Sequence, residues 1–352
     1  MNGHRGNINS EKLLNRFVTL WGFSEAAFGG FLHLVKFPFR GMFIGGNAVI
    51  LISLISYFSK NKRILLRSTM LVILVKFIIS PYTPLTAYFA VGFQGVTGFL
   101  LYRVFSYNSI TIIVHSIISQ IQSSLQKFIG LTIYFGFTFW DSINIYIQYI
   151  LDKFGFDNLV NGNINYSLII VLAYVAVHIL AGIYVGFQSI KAPKMILNKI
   201  SEQSSNEKHL ALTTFVNNGA RKSKKQWWRK KSGIILLFVF VIMAVVPLFD
   251  PSLQKDNSYN VLYMLGRAIL ITLLWFTLIS PLIVKVVQKY LLKKKNMYSD
   301  EVKDILDLIP TMKSLTKENW DKNRMKGIRG FKRFISDLFF QLLLWESEPR
   351  SD

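Results

Sequence analysis

One stretch of this sequence limits the possible folds more than any other. Lys191 to Lys231 holds eleven Lys and Arg and only two acids, Glu202 and Glu207. Apolar sequence precedes it, and two more apolar segments follow. Lys/Arg-rich loops resist translocation across a bilayer, so such a block belongs on the cytoplasmic side. It sets which way the chain faces and divides it in two.

Composition agrees with a chain embedded in a membrane. It is 51% hydrophobic and 17% charged, where soluble domains carry about 25% charged residues. The formal charge of +22 is concentrated in loops and in the C-terminal tail. Nucleic-acid binding is another use for such charge. Here the basic residues flank apolar spans, where they meet anionic headgroups, so lipid is the expected partner and nucleic acid is not. The absence of cysteine excludes disulfides, thiolate metal sites and Cys nucleophiles. The polar N-terminus, MNGHRGNINSEKLLNRF, lacks the order of a signal peptide and reads as a retained cytoplasmic lead-in. Ser10 is placed to cap a helix starting near Glu11.

Apolar runs separated by turn signals place spans near Phe17–Val35, Phe43–Phe58, Leu65–Ile79, Leu85–Phe105, Ile110–Phe139, Tyr166–Phe187, Gly233–Phe249 and Leu262–Val287. The fifth is the hard one. Its middle, Ser119 to Lys127, is too polar to face lipid, so it is either one long helix facing the interior or two short ones. Parity favours one crossing. Then the N-terminus, Lys60–Arg67, Arg103, Lys191–Lys231 and the tail share one side, and Asp141, Asp152, Asp157, Asp250 and Asp256 share the other. Two crossings would set the basic segments on opposite sides, against the positive-inside bias. The expectation is eight spans in the cytoplasmic (inner) membrane with both termini cytoplasmic. Trp140–Phe154 would be an amphipathic helix at the interface.

Four domains follow: residues 1–190 as a six-span block, 191–232 as a basic connector, 233–288 as a two-span hairpin, and 289–352 as a basic helical tail. In the tail, Ser299-Asp300-Glu301 would start a helix ending near Ile309-Pro310, and a second helix would cover Met312–Lys326. No phosphate loop, HExxH or GxSxG pattern occurs. The chain is therefore expected to be no enzyme, and any ATP hydrolysis would come from partner subunits. No cofactor and no metal are expected.

Polar groups inside spans are expensive and often functional. His33, Gln94, His115, Gln120, Gln122, Gln126, Lys127 and His178 are the candidates for lining a solute cavity; the competing reading is a structural hydrogen-bond network. The three histidines lie on different spans and either converge on a ligand or simply pair with neighbours. Glu25 is also in a span. Lys36 and Lys76 sit near span ends, where they can snorkel. Small residues recur at Ala26, Ala27, Gly29 and Gly30, at Gly92, Gly95 and Gly98, and at Gly182 and Gly186. Such faces let membrane helices approach closely, either within the chain or against another subunit. Trp227-Trp228 among lysines reads as a membrane anchor. Arg221 and Arg329, each beside small residues, can reach a partner carboxylate.

The first block resembles the substrate-capturing S component of energy-coupling-factor (ECF) transporters. The residues that carry the resemblance are Ser24-Glu25-Ala26-Ala27-Phe28-Gly29-Gly30, His33, Lys36 to Phe43 and Ser80-Pro81-Tyr82-Thr83-Pro84-Leu85-Thr86-Ala87-Tyr88. The end of the chain is loosely similar to the T component of the same family, whose small-Arg-small motifs Arg221 and Arg329 partly match. The resemblance implies an all-α polytopic membrane protein: a six-helix S-component-like bundle, a two-helix transmembrane hairpin and a helical cytoplasmic tail. It implies capture of a small solute of the vitamin or micronutrient class for ATP-driven uptake. ABC ATPases and a T-like membrane subunit would be partners, docking on Ala26, Ala27, Gly29, Gly30, Arg221 and Arg329. A non-transporting scaffold working through the tail is the alternative.

Overall fold

The computed structural model describes residues 10–28, 39–80, 83–156, 164–203, 257–323, 330, 334 and 337–342, and these are almost entirely helical, with no strand among them. Gly233–Phe249 and Trp227-Trp228 lie outside the described residues. The helices are α1 (Ser10–Phe23), continued by a π-helical turn at Ser24–Phe28, α2 (Arg40–Phe58), α3 (Ile64–Ile79), α4 (Leu85–Val104) and α5 (Ser109–Phe135). Then come α6 (Thr138–Lys153), α7 (Tyr166–Gln203), α8 (Asn257–Leu274), a π-helical turn at Trp275–Ile279, α9 (Ser280–Met297) and α10 (Ser299–Asn323). Four of them are long and apolar enough to cross a membrane: α2, α4, Tyr166–Ile200 of α7, and Met264–Met297 across α8 and α9.

The polar middle of the fifth apolar segment does not interrupt it. Ser109–Phe135 is one helix. Its amphipathicity is inverted with respect to a soluble helix. His115, Ser116, Ser119 and Gln120 are buried, whereas Val114, Leu125, Ile129 and Ile133 are exposed. Polar groups face protein and apolar groups face outward when the surrounding medium is hydrocarbon. α7 carries exposed Leu168, Leu172, Leu180 and Tyr184 in the same way. It runs well past Phe187 and accommodates Pro193 in its interior. α6 has no buried residue, and Tyr146 and Tyr149 are exposed on it. Aromatic side chains of that kind favour the headgroup region.

The chain divides into two compact units. The first comprises residues 1–123, 178–218 and 293–352; the second comprises 124–177 and 219–292. In the first, α1 packs on α2 and α3, α4 packs on α2 and α3, and α10 packs across α1 and α3. α1 is buried nearly all round, with Phe17 and Trp21 fully covered. The cover from α10 is a stripe of Val302, Ile305, Ile309, Met312 and Leu315, spaced three and four residues apart. This stripe runs on both sides of Pro310, and the expected break there does not occur: Ser299–Asn323 is a single helix. In the second unit, α6 contacts α8, and the Asn144 side chain accepts from the Ser167 backbone at the start of α7. Phe128 stacks edge-on against Tyr174 and lies beside Trp140.

Glycines set the closest approaches. A Cβ at Gly182 would lie 2.9 Å from Ile117 Cα, and one at Gly186 would lie 3.1 Å from Ile113 Cα. The small-residue face of α7 is thus used within the chain, against the backbone of α5. Gly95 meets Thr69, and Gly98 would place a Cβ 2.7 Å from Ile52. Backbone cannot yield as a flexible side chain can. Gly182→Ala is therefore expected to lower stability by about 1–3 kcal/mol through overpacking. Gly130, with open space around its Cα, should gain up to about 1 kcal/mol on Gly130→Ala because the helix loses a flexible residue. Thermal unfolding of the two variants in one detergent checks the opposite signs.

Candidate functional site

The polar interior is built on two consecutive glycines of α2. Gly45 backs onto the Gln94 amide nitrogen of α4, where an added Cβ would stand 2.9 Å away. Gly46 backs onto the Gln120 amide nitrogen of α5, at 3.4 Å by the same measure. The two glutamines therefore flank one short stretch of α2. Gln120 Nε2 donates to the Met42 carbonyl at 3.0 Å, which fixes its Oε1 as the free end. Gln94 Oε1, Gln120 Oε1, Ser116 Oγ and Ser119 Oγ are buried and have no hydrogen-bond partner among the described residues.

His115, buried on the same helix as Gln120, is fully engaged. Its Nε2 lies 3.0 Å from the Gln94 backbone carbonyl, which only accepts, so Nε2 carries the hydrogen. With a neutral ring, Nδ1 then accepts from the Tyr102 hydroxyl at 3.3 Å, and Tyr102 accepts from Ser53 Oγ at 2.7 Å. The imidazole packs edge-on against the Tyr102 ring. Tyr107, in the turn between α4 and α5, extends this aromatic cluster towards Tyr57. Burial, and secondarily Tyr57, raises the Tyr107 hydroxyl's pKa, so it stays protonated.

The remaining sequence candidates disperse. Gln122 is buried and Gln126 half-buried on α5. His178 is buried on α7 with its ring centroid 6.2 Å from that of Phe39. Lys127 is exposed and sits over the Tyr174 ring at 4.8 Å, a cation–π contact within the second unit. Ala26 is buried within the first unit, so its small side chain serves internal packing. His33, Gly29, Gly30, Arg221, Arg329 and the side chain of Ala27 lie outside the described residues. No group of three or more His, Cys, Asp or Glu able to hold a metal occurs among the described residues.

Sequence reasoning placed Lys76 as a snorkelling end residue. The structure corrects this. Lys76 turns inward and is 6% exposed, and its ammonium donates to Glu25 Oε2 at 2.6 Å. Glu25 stands in the π-helical turn after α1, where the widened backbone presents it to α3. One acid and one base within two apolar segments was the available signal. Ser116 lies outside the polar middle that begins at Ser119, and isolated serines are common in spans; its spacing with Ser119 and Gln120 marks the inward face. Outside the apolar segments, Lys62 donates to the Ser56 and Ser59 carbonyls at the end of α2, and burial lowers its pKa.

Comparison with family models, curated proteins and solved structures gives no match.

Removing either member of the Glu25–Lys76 pair strands a buried charge. Glu25→Gln or Lys76→Met alone is expected to cost about 3–5 kcal/mol, and the double variant to recover most of that loss. Unfolding of all four proteins in a double-mutant cycle measures the recovery.

Proposed function

We propose that this chain is a membrane subunit that holds a small solute among α2, α4 and α5 and releases it inward when partner ATPases drive the cycle. The observation carrying this is the inverted α5, whose buried polar stripe includes the Gln120 amide oxygen, without a hydrogen-bond partner among the described residues, near the membrane-crossing α2. Buried polar groups are ordinarily paired, and exceptions call for a role. A structural network would have consumed the glutamine oxygens as it consumed His115. The solute is of the small-nutrient class, as the ECF S-component resemblance implies, and the chain itself performs no covalent chemistry. In this reading the chain has six spans, a hairpin and a cytoplasmic tail. Both termini are cytoplasmic, in the inner membrane, and a T-like subunit and ABC ATPases complete the assembly.

A scaffold role is the second reading, favoured by one specific observation. His115, Ser116, Ser119 and Gln120 have no exposed surface, so the interior is closed in this form. Deleting the tail does not discriminate the readings, because α10 covers α1 and α3 and its loss would unfold the first unit. Charge reversal on the outer face of α10, Lys313→Glu with Lys317→Glu, leaves the buried stripe intact. Full-length protein drawn from native membranes should bring an ABC ATPase with it and support ATP-dependent solute uptake in proteoliposomes. Recovery without any ATPase sinks the transport reading. Loss of a complex on charge reversal, with no solute bound by either protein, establishes the scaffold.

A further inference from the structure

We infer that one end of the first unit is a binding surface for anionic phospholipid headgroups, formed by the turn from α2 to α3 and the junction of α9 and α10. It stands independently of the transport reading. Residues 60–67 and 293–304 carry eight Lys and Arg and only three acids. All of them lie in the first unit. The two segments meet, because Arg67 near the start of α3 pairs with Glu301 at the start of α10. Only Tyr298 separates α9 from α10, so Lys295 stands about 9 Å from Glu301 at helical rise. Glu301 is taken by Arg67, which leaves Asp300 and Asp304 against the other seven bases. No acid stands in the first turn of α3. Lys60, Arg63, Lys293 and Lys295 are exposed, and their side chains make no hydrogen bond or ion pair among the described residues.

Position selects the anion. α2 and the span Met264–Met297 are each long and apolar enough to cross a membrane, and each ends at these bases. Headgroup phosphates of the leaflet in which both spans end are therefore within reach. Exposed apolar side chains are interleaved with the charges. Leu66 lies between Arg63 and Arg67, and Leu292 and Met297 bracket the three lysines. A nucleic acid has no apolar phase to receive them. At a bilayer surface they enter the acyl boundary while the bases reach the phosphates. The guanidinium fork of Arg63 suits one phosphate through two parallel hydrogen bonds, and the lysines act as point charges. A zwitterionic headgroup brings its own cation beside the phosphate, so a headgroup of net negative charge is preferred.

Spin-labelled lipids test this on the full chain in phosphatidylcholine vesicles. Labelled phosphatidylglycerol should associate with the protein about fivefold more strongly than labelled phosphatidylcholine, and raised salt should shrink that preference because the bases are exposed. Arg63→Gln with Lys293→Gln should bring it below about twofold. Lys313→Gln with Lys317→Gln, on the outer face of α10, should leave it unchanged. All four side chains are exposed, so the thermal unfolding midpoint in phosphatidylcholine should hold in both variants. Should the first variant fail to fold, Lys60→Gln with Lys295→Gln gives the same reading. Equal association of the two lipids with the unaltered chain overturns the inference, in favour of nucleic acid where the same vesicles capture a labelled oligonucleotide. A preference that survives loss of Arg63 and Lys293, or that falls equally on loss of Lys313 and Lys317, places the binding elsewhere and overturns it too.

Discussion

The rest of the first unit depends on keeping the polar stripe of α5 away from lipid. Four consecutive inward positions, His115, Ser116, Ser119 and Gln120, would be costly against hydrocarbon, so neighbouring helices must close over them. Closure takes two forms. On one side Gly45 and Gly46 of α2 and Gly98 of α4 leave room for glutamine and histidine side chains. On the other, Gly182 and Gly186 let α7 lie against the α5 backbone at Ile117 and Ile113. In a bilayer there is little hydrophobic gain when helices meet, so close backbone contact and hydrogen bonding must supply the association. The glycines provide the first and the His115 relay the second.

Charge is placed with equal economy. Glu25 and Lys76 are both buried and lie in direct contact, an arrangement that is tolerable only as a pair. Arg67 and Glu301 also pair, joining the starts of α3 and α10, but that pair is solvent-exposed and contributes little. The outer face of α10 displays Lys303, Asp304, Asp307, Lys313, Lys317 and Glu318. Charges at a bilayer centre cost about 2.5–3.5 kcal/mol each on insertion scales, so this face belongs in water. Ile305 of α10 reaches Gly22 of α1. The chain's own tail therefore covers the last turn of α1, a surface that sequence alone offers to a partner.

Much of the helix layout was legible because apolar runs and turn signals agree. Leu85–Phe105 was expected and Leu85–Val104 is found; Trp140–Phe154 was expected and Thr138–Lys153 is found. The misses have a common cause. At Pro310 and Pro193, local propensity argues for an end, and the helix continues. Pro310 is exposed while Ile309 and Met312 beside it are buried, so tertiary packing of the stripe outweighs the missing backbone bond. Lys76 was misjudged because its distance from the span end is visible in sequence, but the partner, 51 residues away, is not. The glutamines were legible as polar intruders; the neighbours of Gln94 and Gln120 were not, since Gly45 and Gly46 lie on a third helix.

The contrast between histidine and glutamine in this interior is what separates a strut from a site. Both are polar, both are buried, and both stand in apolar sequence. Each nitrogen of His115 has a partner fixed by geometry, which makes it a brace between α4 and α5. Gln120 is satisfied at one end only, and Gln94 leaves its carbonyl oxygen open. Leaving a buried acceptor unpaired costs about 1–3 kcal/mol, whereas a same-shape apolar side chain would carry no such penalty. Two such oxygens add a cost that methionine or leucine at the same positions would avoid.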